Sequence, residues 1–155
     1  MRRRVRLGQH FLIDKDVLDE IVGISKIKKE EEVLEIGPGH GILTKALLKK
    51  GARVTAIEID GNLVEKLKKE LGGNKNLKII HGDILNYLDC HSDLFSRVIL
   101  SEAKNPSQEI LRQRLRMTGD YKIVGNIPYQ ITSPLLRKIF KLDNPPKLII
   151  LMIQK

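Results

Sequence analysis

The segment Gly125-Asn126-Ile127-Pro128-Tyr129 places two hydrogen-bond acceptors beside an aromatic plane. Asn126 offers an amide oxygen, the Ile127–Pro128 peptide offers a carbonyl with no competing proline N–H, and Tyr129 offers a flat face. Such a set suits an exocyclic amino group on a planar base. A second constellation is Glu35-Ile36-Gly37-Pro38-Gly39-His40-Gly41, where glycines permit a tight turn and let a ligand approach the backbone at a helix N-terminus. Its spacing is Gly-x-Gly-x-Gly, whereas a dinucleotide fingerprint needs Gly-x-Gly-x-x-Gly, which argues against a nicotinamide cofactor. Glu58 lies 21 positions after Gly37, where an acidic side chain can accept from both hydroxyls of a ribose. Asp83, within His81-Gly82-Asp83-Ile84, can accept from an exocyclic amine, and such a residue alone is a turn residue as often as a ligand. Cys90-His91 is too small a pair to hold a metal, and no other cluster has metal-ligand spacing.

The elements that must position these residues alternate in period. Val17, Leu18, Ile21 and Val22 repeat at helical spacing, with Asp14 or Asp16 as candidate cap. Residues 32–36 form a short strand that runs into the glycine cluster. Ile42, Leu43, Ala46 and Leu47 then mark a helix that Gly51 ends. Val54–Ile57 is the next strand, Leu63, Val64, Leu67 and Leu71 line the next helix, and Leu77–Ile80 is a third strand. Ile123-Val124 makes a fourth strand just before Gly125. Ser133 and Pro134 are expected to open a helix as cap and first residue, burying Leu135, Leu136, Ile139 and Phe140. Leu148–Met152 is a fifth strand, apolar throughout. This alternation specifies an α/β fold with a parallel, doubly wound sheet, which sets the chemical segments along its carboxyl edge. Residues 92–118 break the rhythm; Val98–Leu100 and a short helix capped by Ser107 are the only elements they suggest.

The chain has 155 residues, one domain's worth, with 41% hydrophobic and 30% charged residues. A disordered or fibrous protein is thereby excluded. No apolar run approaches the roughly 20 residues that span a bilayer, and no apolar core follows the initial arginines, which argues against export and membrane insertion. One cysteine suits a reducing cytoplasm. Lys and Arg number 28 against 19 Asp and Glu, and the net charge of +9 points to an anionic partner such as a nucleic acid. Aromatics are only 4%, so a broad stacking platform is not expected. Arg2, Arg3, Arg4 and Arg6 are candidate phosphate contacts.

Taken together, these motifs resemble the ribosomal RNA adenine N6,N6-dimethyltransferase family. Gly8-Gln9-His10-Phe11-Leu12-Ile13-Asp14 looks like its N-terminal signature and Glu35–Gly41 like its methionine-binding loop. Glu58-Ile59-Asp60 resembles its ribose turn, Gly82-Asp83 its cofactor-adenine position, and Asn126–Tyr129 its catalytic motif. The match covers about residues 4–90 and 120–155. It implies a Rossmann-like fold and S-adenosylmethionine as cofactor. It implies cofactor contacts from His10, Leu12, Gly37, Gly39, Glu58, Ile59, Asp83, Ile84 and Asn126, and catalytic roles for Asn126, Pro128 and Tyr129. It implies small-subunit ribosomal RNA or its precursor particle as partner of a cytoplasmic monomer, with neither metal nor membrane. Against that family, residues 92–118 read as an atypical insertion into a partial methyltransferase domain spanning 1–155. The last two strands and a C-terminal helical domain are expected to be missing, leaving the fifth strand an exposed edge and the chain inactive. A large-subunit ribosomal RNA methyltransferase and an inactive cofactor- or RNA-binding remnant are the alternative readings.

Overall fold

The computed structural model describes residues 15–89 and 120–154. Helix α1 (Lys15–Ser25) precedes strand β1 (Glu32–Ile36), helix α2 (Ile42–Lys49), strand β2 (Arg53–Glu58), helix α3 (Gly61–Leu71) and strand β3 (Leu77–His81). A short helix α4 (Ile84–Asp89) ends this half; strand β4 (Tyr121–Pro128), helix α5 (Tyr129–Ile139) and strand β5 (Leu148–Gln154) form the other. The five strands make one sheet, ordered β3-β2-β1-β4-β5, in which every pairing is parallel. The expected parallel sheet is therefore observed.

Alternation along β1 sends Leu34 and Ile36 to one face, where they pack with Tyr87 and Leu88 of α4 and Leu135 and Ile139 of α5. Val33 points to the other face, against Ile21 of α1 and Leu43 and Leu47 of α2. Helix α3 lies beside α2: a Cβ on Gly41 would stand 2.5 Å from Leu67 Cδ2, and Lys45 pairs with Glu70 at 2.9 Å. Both faces of the sheet are thus covered, which is why the strands read as nearly continuous apolar runs.

Several expectations change. The fourth strand is much longer than Ile123-Val124: β4 runs to Pro128, so Asn126, Ile127 and Pro128 end a strand and do not form a turn. Pairing extends it: β1 accompanies β4 as far as Gly125, opposite Ile36, and β5 continues alongside to Pro128, opposite Gln154. Pro128 is the last strand residue, where its missing N–H is tolerated. The following helix begins at Tyr129 with Pro128 as its cap residue; Ser133 and Pro134 lie inside it. Ile131, Leu135 and Ile139 recur every four residues and pack on one core, and that burial outweighs the hydrogen bond Pro134 cannot donate. Phe140, expected on the buried face, is 73% exposed at the helix end. Helix α4 was not anticipated, because six residues are too few to show a helical period. Asp16 lies in the first turn of α1 and does not cap it, while Asp14 falls outside the described residues.

Candidate functional site

Parallel pairing brings four loops to one edge. Gly37 follows β1, Glu58 closes β2, Asp83 stands two residues after β3, and Asn126 lies near the end of β4. Backbone hydrogen bonds tie these ends together: the Gly37 N–H donates to the Ile57 carbonyl at 3.0 Å, and the Gly82 N–H to the Glu58 carbonyl at 2.9 Å.

The glycine loop approaches β4 closely. Gly37 has φ +65°, and a Cβ there would lie 3.1 Å from the Asn126 carbonyl oxygen, so a side chain would be both strained and crowded. Gly125 is needed on the opposite wall, because its Cβ would meet the Ile36 carbonyl at 2.8 Å. Between these walls opens a narrow cleft whose lining includes Glu35, Gly37, Gly39, Leu43 and Asn126.

Glu58 is only 3% exposed and braces the loop. The Gly39 N–H donates to its Oε2 at 3.1 Å and the Asp60 N–H to its Oε1 at 3.0 Å. Each oxygen keeps a further lone pair for a second donor. Asp83 Oδ1 accepts from the Leu85 N–H at 2.8 Å, holding the start of α4. One of its oxygens thus serves the turn, as one of the two readings of Asp83 has it. Ile59 is exposed at the edge, whereas the Ile84 side chain packs in the core, leaving its backbone to face the edge. Tyr129 stands 59% exposed at the start of α5. The cleft gathers the glycine loop and Asn126, while Glu58 lies beneath the loop and Ile59, Asp83 and Tyr129 do not line the cleft. His10, Leu12, Arg2, Arg3, Arg4, Arg6 and the 92–118 segment fall outside the described residues.

One residue of the site was not singled out by sequence: Glu35. It is 1% exposed, both carboxylate oxygens lack a well-formed hydrogen bond, and it lines the cleft. Burial pushes its carboxyl up to about 7; nearby Thr44 opposes that rise and the Glu58 charge adds to it. The signal available in the sequence was a lone acid inside an apolar strand, directly before the glycines. An orphaned acid in a cleft needs a cation or a donor to complete it. A ligand carrying an ammonium group and a nucleoside fits this edge, with Glu35 for the cation and the strand ends for the nucleoside. Among the described residues, no three His, Cys, Asp or Glu side chains form a metal-binding group, and no helix is long and apolar enough to cross a membrane.

The sheet and its glycine edge define a Rossmann-like domain of the methyltransferase class. The family model for ribosomal RNA adenine dimethylase matches residues 1–155, and the chain belongs to that family. A ribosomal RNA small subunit methyltransferase A from Dehalococcoides mccartyi is 36% identical over all of this chain and 46% of its own. A second, from Syntrophus aciditrophicus, is 39% identical over 97% of this chain and 46% of its own. Among solved structures, a dimethyladenosine transferase from Plasmodium falciparum superposes with TM-score 0.67 at 32% identity, over 94% of this chain and 44% of that one. The 23S rRNA methyltransferase ErmE gives 0.63 at 26% identity, over 93% and 48%. The chain therefore spans about half the length of the curated relatives it matches.

Proposed function

We propose that this chain is the cofactor-binding and catalytic part of an S-adenosylmethionine-dependent enzyme that dimethylates adenine N6 in small-subunit ribosomal RNA. The observation that carries the reading is the Asn126–Tyr129 segment at the end of β4, across a glycine cleft from an orphaned buried acid, in a chain the family model matches throughout. The curated relatives that match it are named as small-subunit ribosomal RNA methyltransferases, which supports the small-subunit substrate. The bound cofactor supplies an electrophilic methyl group on a sulfonium. Glu35, with the Gly37 and Gly39 backbone, holds the cationic amino acid end; Glu58 and Ile59 serve the ribose, and Asp83 and the Ile84 amide serve the cofactor's adenine. His10 and Leu12 complete the cofactor contacts by resemblance.

Adenine N6 is a poor nucleophile because its lone pair is delocalised into the ring. The Asn126 side-chain oxygen and the Ile127 or Pro128 carbonyl accept from N6–H, which favours a more tetrahedral nitrogen with its lone pair available. Tyr129, exposed at the edge, stacks on a base turned out of its helix. The N6 proton leaves toward these acceptors and solvent as the new N–C bond forms. Positioning and electrostatics carry the rate, and no metal enters. The enzyme acts as a cytoplasmic monomer, with Arg2, Arg3, Arg4 and Arg6 on RNA phosphates and residues 92–118 as an insertion ahead of β4.

Calorimetry with S-adenosylmethionine and NAD tests the cofactor, and tighter binding of NAD overturns the assignment. Labelled methyl transfer to small-subunit particles tests the reaction. The assay uses this chain and a fusion to the C-terminal half of a relative. Incorporation at adenine N6 that Asn126→Ala abolishes supports the reading; incorporation that survives Asn126→Ala removes the proposed role of that residue.

A further inference from the structure

Helix α5 leaves the catalytic motif and carries a feature that motif does not explain. Tyr129, Ser133, Arg137 and Lys141 follow one another every four residues, and all four are exposed. Opposite them, Leu135 and Ile139 are buried in the core. Ser133, Pro134, Arg137, Lys138 and Lys141 border one shallow groove.

Some of the cations elsewhere on the surface are neutralised by a carboxylate. Lys45 pairs with Glu70, Arg53 with Glu30, Lys122 with Glu31, and Lys147 with Asp120. Residues 129–141 contain three cations and no acid, and among the described residues Arg137 and Lys141 have no carboxylate partner. A patch of unneutralised cations attracts a polyanion.

An exposed aromatic stands at each end of the helix, outside the groove lining. Phe140 is 73% exposed, Tyr129 59%. At about 100° per residue they lie within about 20° of each other around the helix, and at 1.5 Å per residue roughly 16 Å apart along it. A positively charged groove interleaved with exposed aromatics is the pattern that holds single-stranded nucleic acid, phosphates on the cations and bases on the rings.

We propose that the exposed face of α5 is a track for single-stranded RNA flanking the target adenine, with Arg137 and Lys141 on phosphates and Phe140 stacking a base. The proposal rests on the RNA-methyltransferase reading above. Its occupant is fixed by charge complementarity and by the direct line from Tyr129 down the helix.

The test is fluorescence anisotropy of a labelled ten-nucleotide, adenine-containing single-stranded RNA on the 155-residue chain across a salt series. Arg137→Gln with Lys141→Gln should weaken binding on the order of tenfold and flatten the log–log salt slope by about 1.4, as expected for two lost single-strand phosphate contacts. Arg137→Lys with Lys141→Arg should keep the slope. Phe140→Ala should weaken binding roughly tenfold with the slope unchanged. Calorimetric binding of S-adenosylmethionine by every variant should match the parent, showing that the fold is intact. An unchanged slope in the neutral double variant, with RNA still bound, overturns the track and leaves the methyltransferase reading standing. Loss of cofactor preference over NAD overturns that reading and leaves the slope result to be judged separately. Parent affinity greater for phosphatidylserine vesicles than for the RNA at equal salt, lost in the neutral variant, assigns the face to a membrane and overturns the proposal.

Discussion

Burial divides the two carboxylates beneath the glycine loop into different kinds of group. Glu58 is occupied, accepting a backbone N–H on each oxygen. Glu35 lacks such partners, and burial raises its carboxyl to about 7 from an ordinary value of 4.5. A carboxyl whose folded value is raised contributes full stability below about pH 4.5 and loses it as the pH rises through about 7. Above that window the buried charge costs on the order of 3 kcal/mol. Glu35→Gln should therefore raise the thermal midpoint of the ligand-free chain at pH 8 while changing little at pH 4.5. Parallel pH profiles for the two proteins would show that Glu35 is not the titrating group. The same substitution should weaken binding of a cationic cofactor, because the orphaned acid is what a cation would complete.

Among the elements, α5 and β4 carry the internal tensions of the fold. Pro134 sits in the middle of α5, where it cannot bond to the Gln130 carbonyl. Pro134→Ala should restore that bond. A helix interior gains up to about 3 kcal/mol from such a change, offset by about 1 kcal/mol from a more flexible unfolded chain. A net gain of about 1–2 kcal/mol is expected in urea unfolding, and a loss would mean that the ring packs better than a methyl group. At the other end of β4, the Lys122 Nζ donates to the Ser25 carbonyl at 2.8 Å and the Lys26 carbonyl at 3.1 Å, and pairs with Glu31 at 2.9 Å. One ammonium thus fastens the end of α1 to the strand that carries Asn126. Lys122→Met keeps the stem and removes the charge, and should cost about 1–3 kcal/mol by leaving two carbonyls unpaired and Glu31 with the Lys28 N–H but no ammonium. An unchanged denaturation midpoint would show that solvent replaces the ammonium without loss.

On the scale of the whole molecule, the sheet has unequal ends. At one, β3 is short; at the other, β5 offers a seven-residue apolar strand that pairs with β4 alone among the described residues. Ile153 on it is 50% exposed. An unpaired apolar edge invites pairing with a second chain. Ile153→Lys should lower light scattering of the 155-residue chain at 37 °C without shifting its thermal midpoint. Equal scattering from parent and variant would clear β5 of a role in self-association.

Local pattern was enough for the framework. The five strands and their parallel pairing were legible because a doubly wound sheet buries its strands on both faces and writes them as apolar runs, as in residues 32–36 and 148–152. The glycine loop, Glu58, Asp83 and Asn126 were legible because chain order along parallel strands sends each following loop to one edge. What the tertiary structure decided depends on neighbours distant in sequence. Asn126 belongs to a strand because β5 pairs alongside it through Met152, although Asn-Ile-Pro alone reads as a turn. Helix α5 starts before Pro134 because core burial of Ile131, Leu135 and Ile139 outweighs one lost hydrogen bond. Glu35 became an uncharged-leaning acid in a cleft only when α2 closed over β1. Periodicity reports which face a residue occupies; what that face meets is set by packing, and burial and charge follow from it.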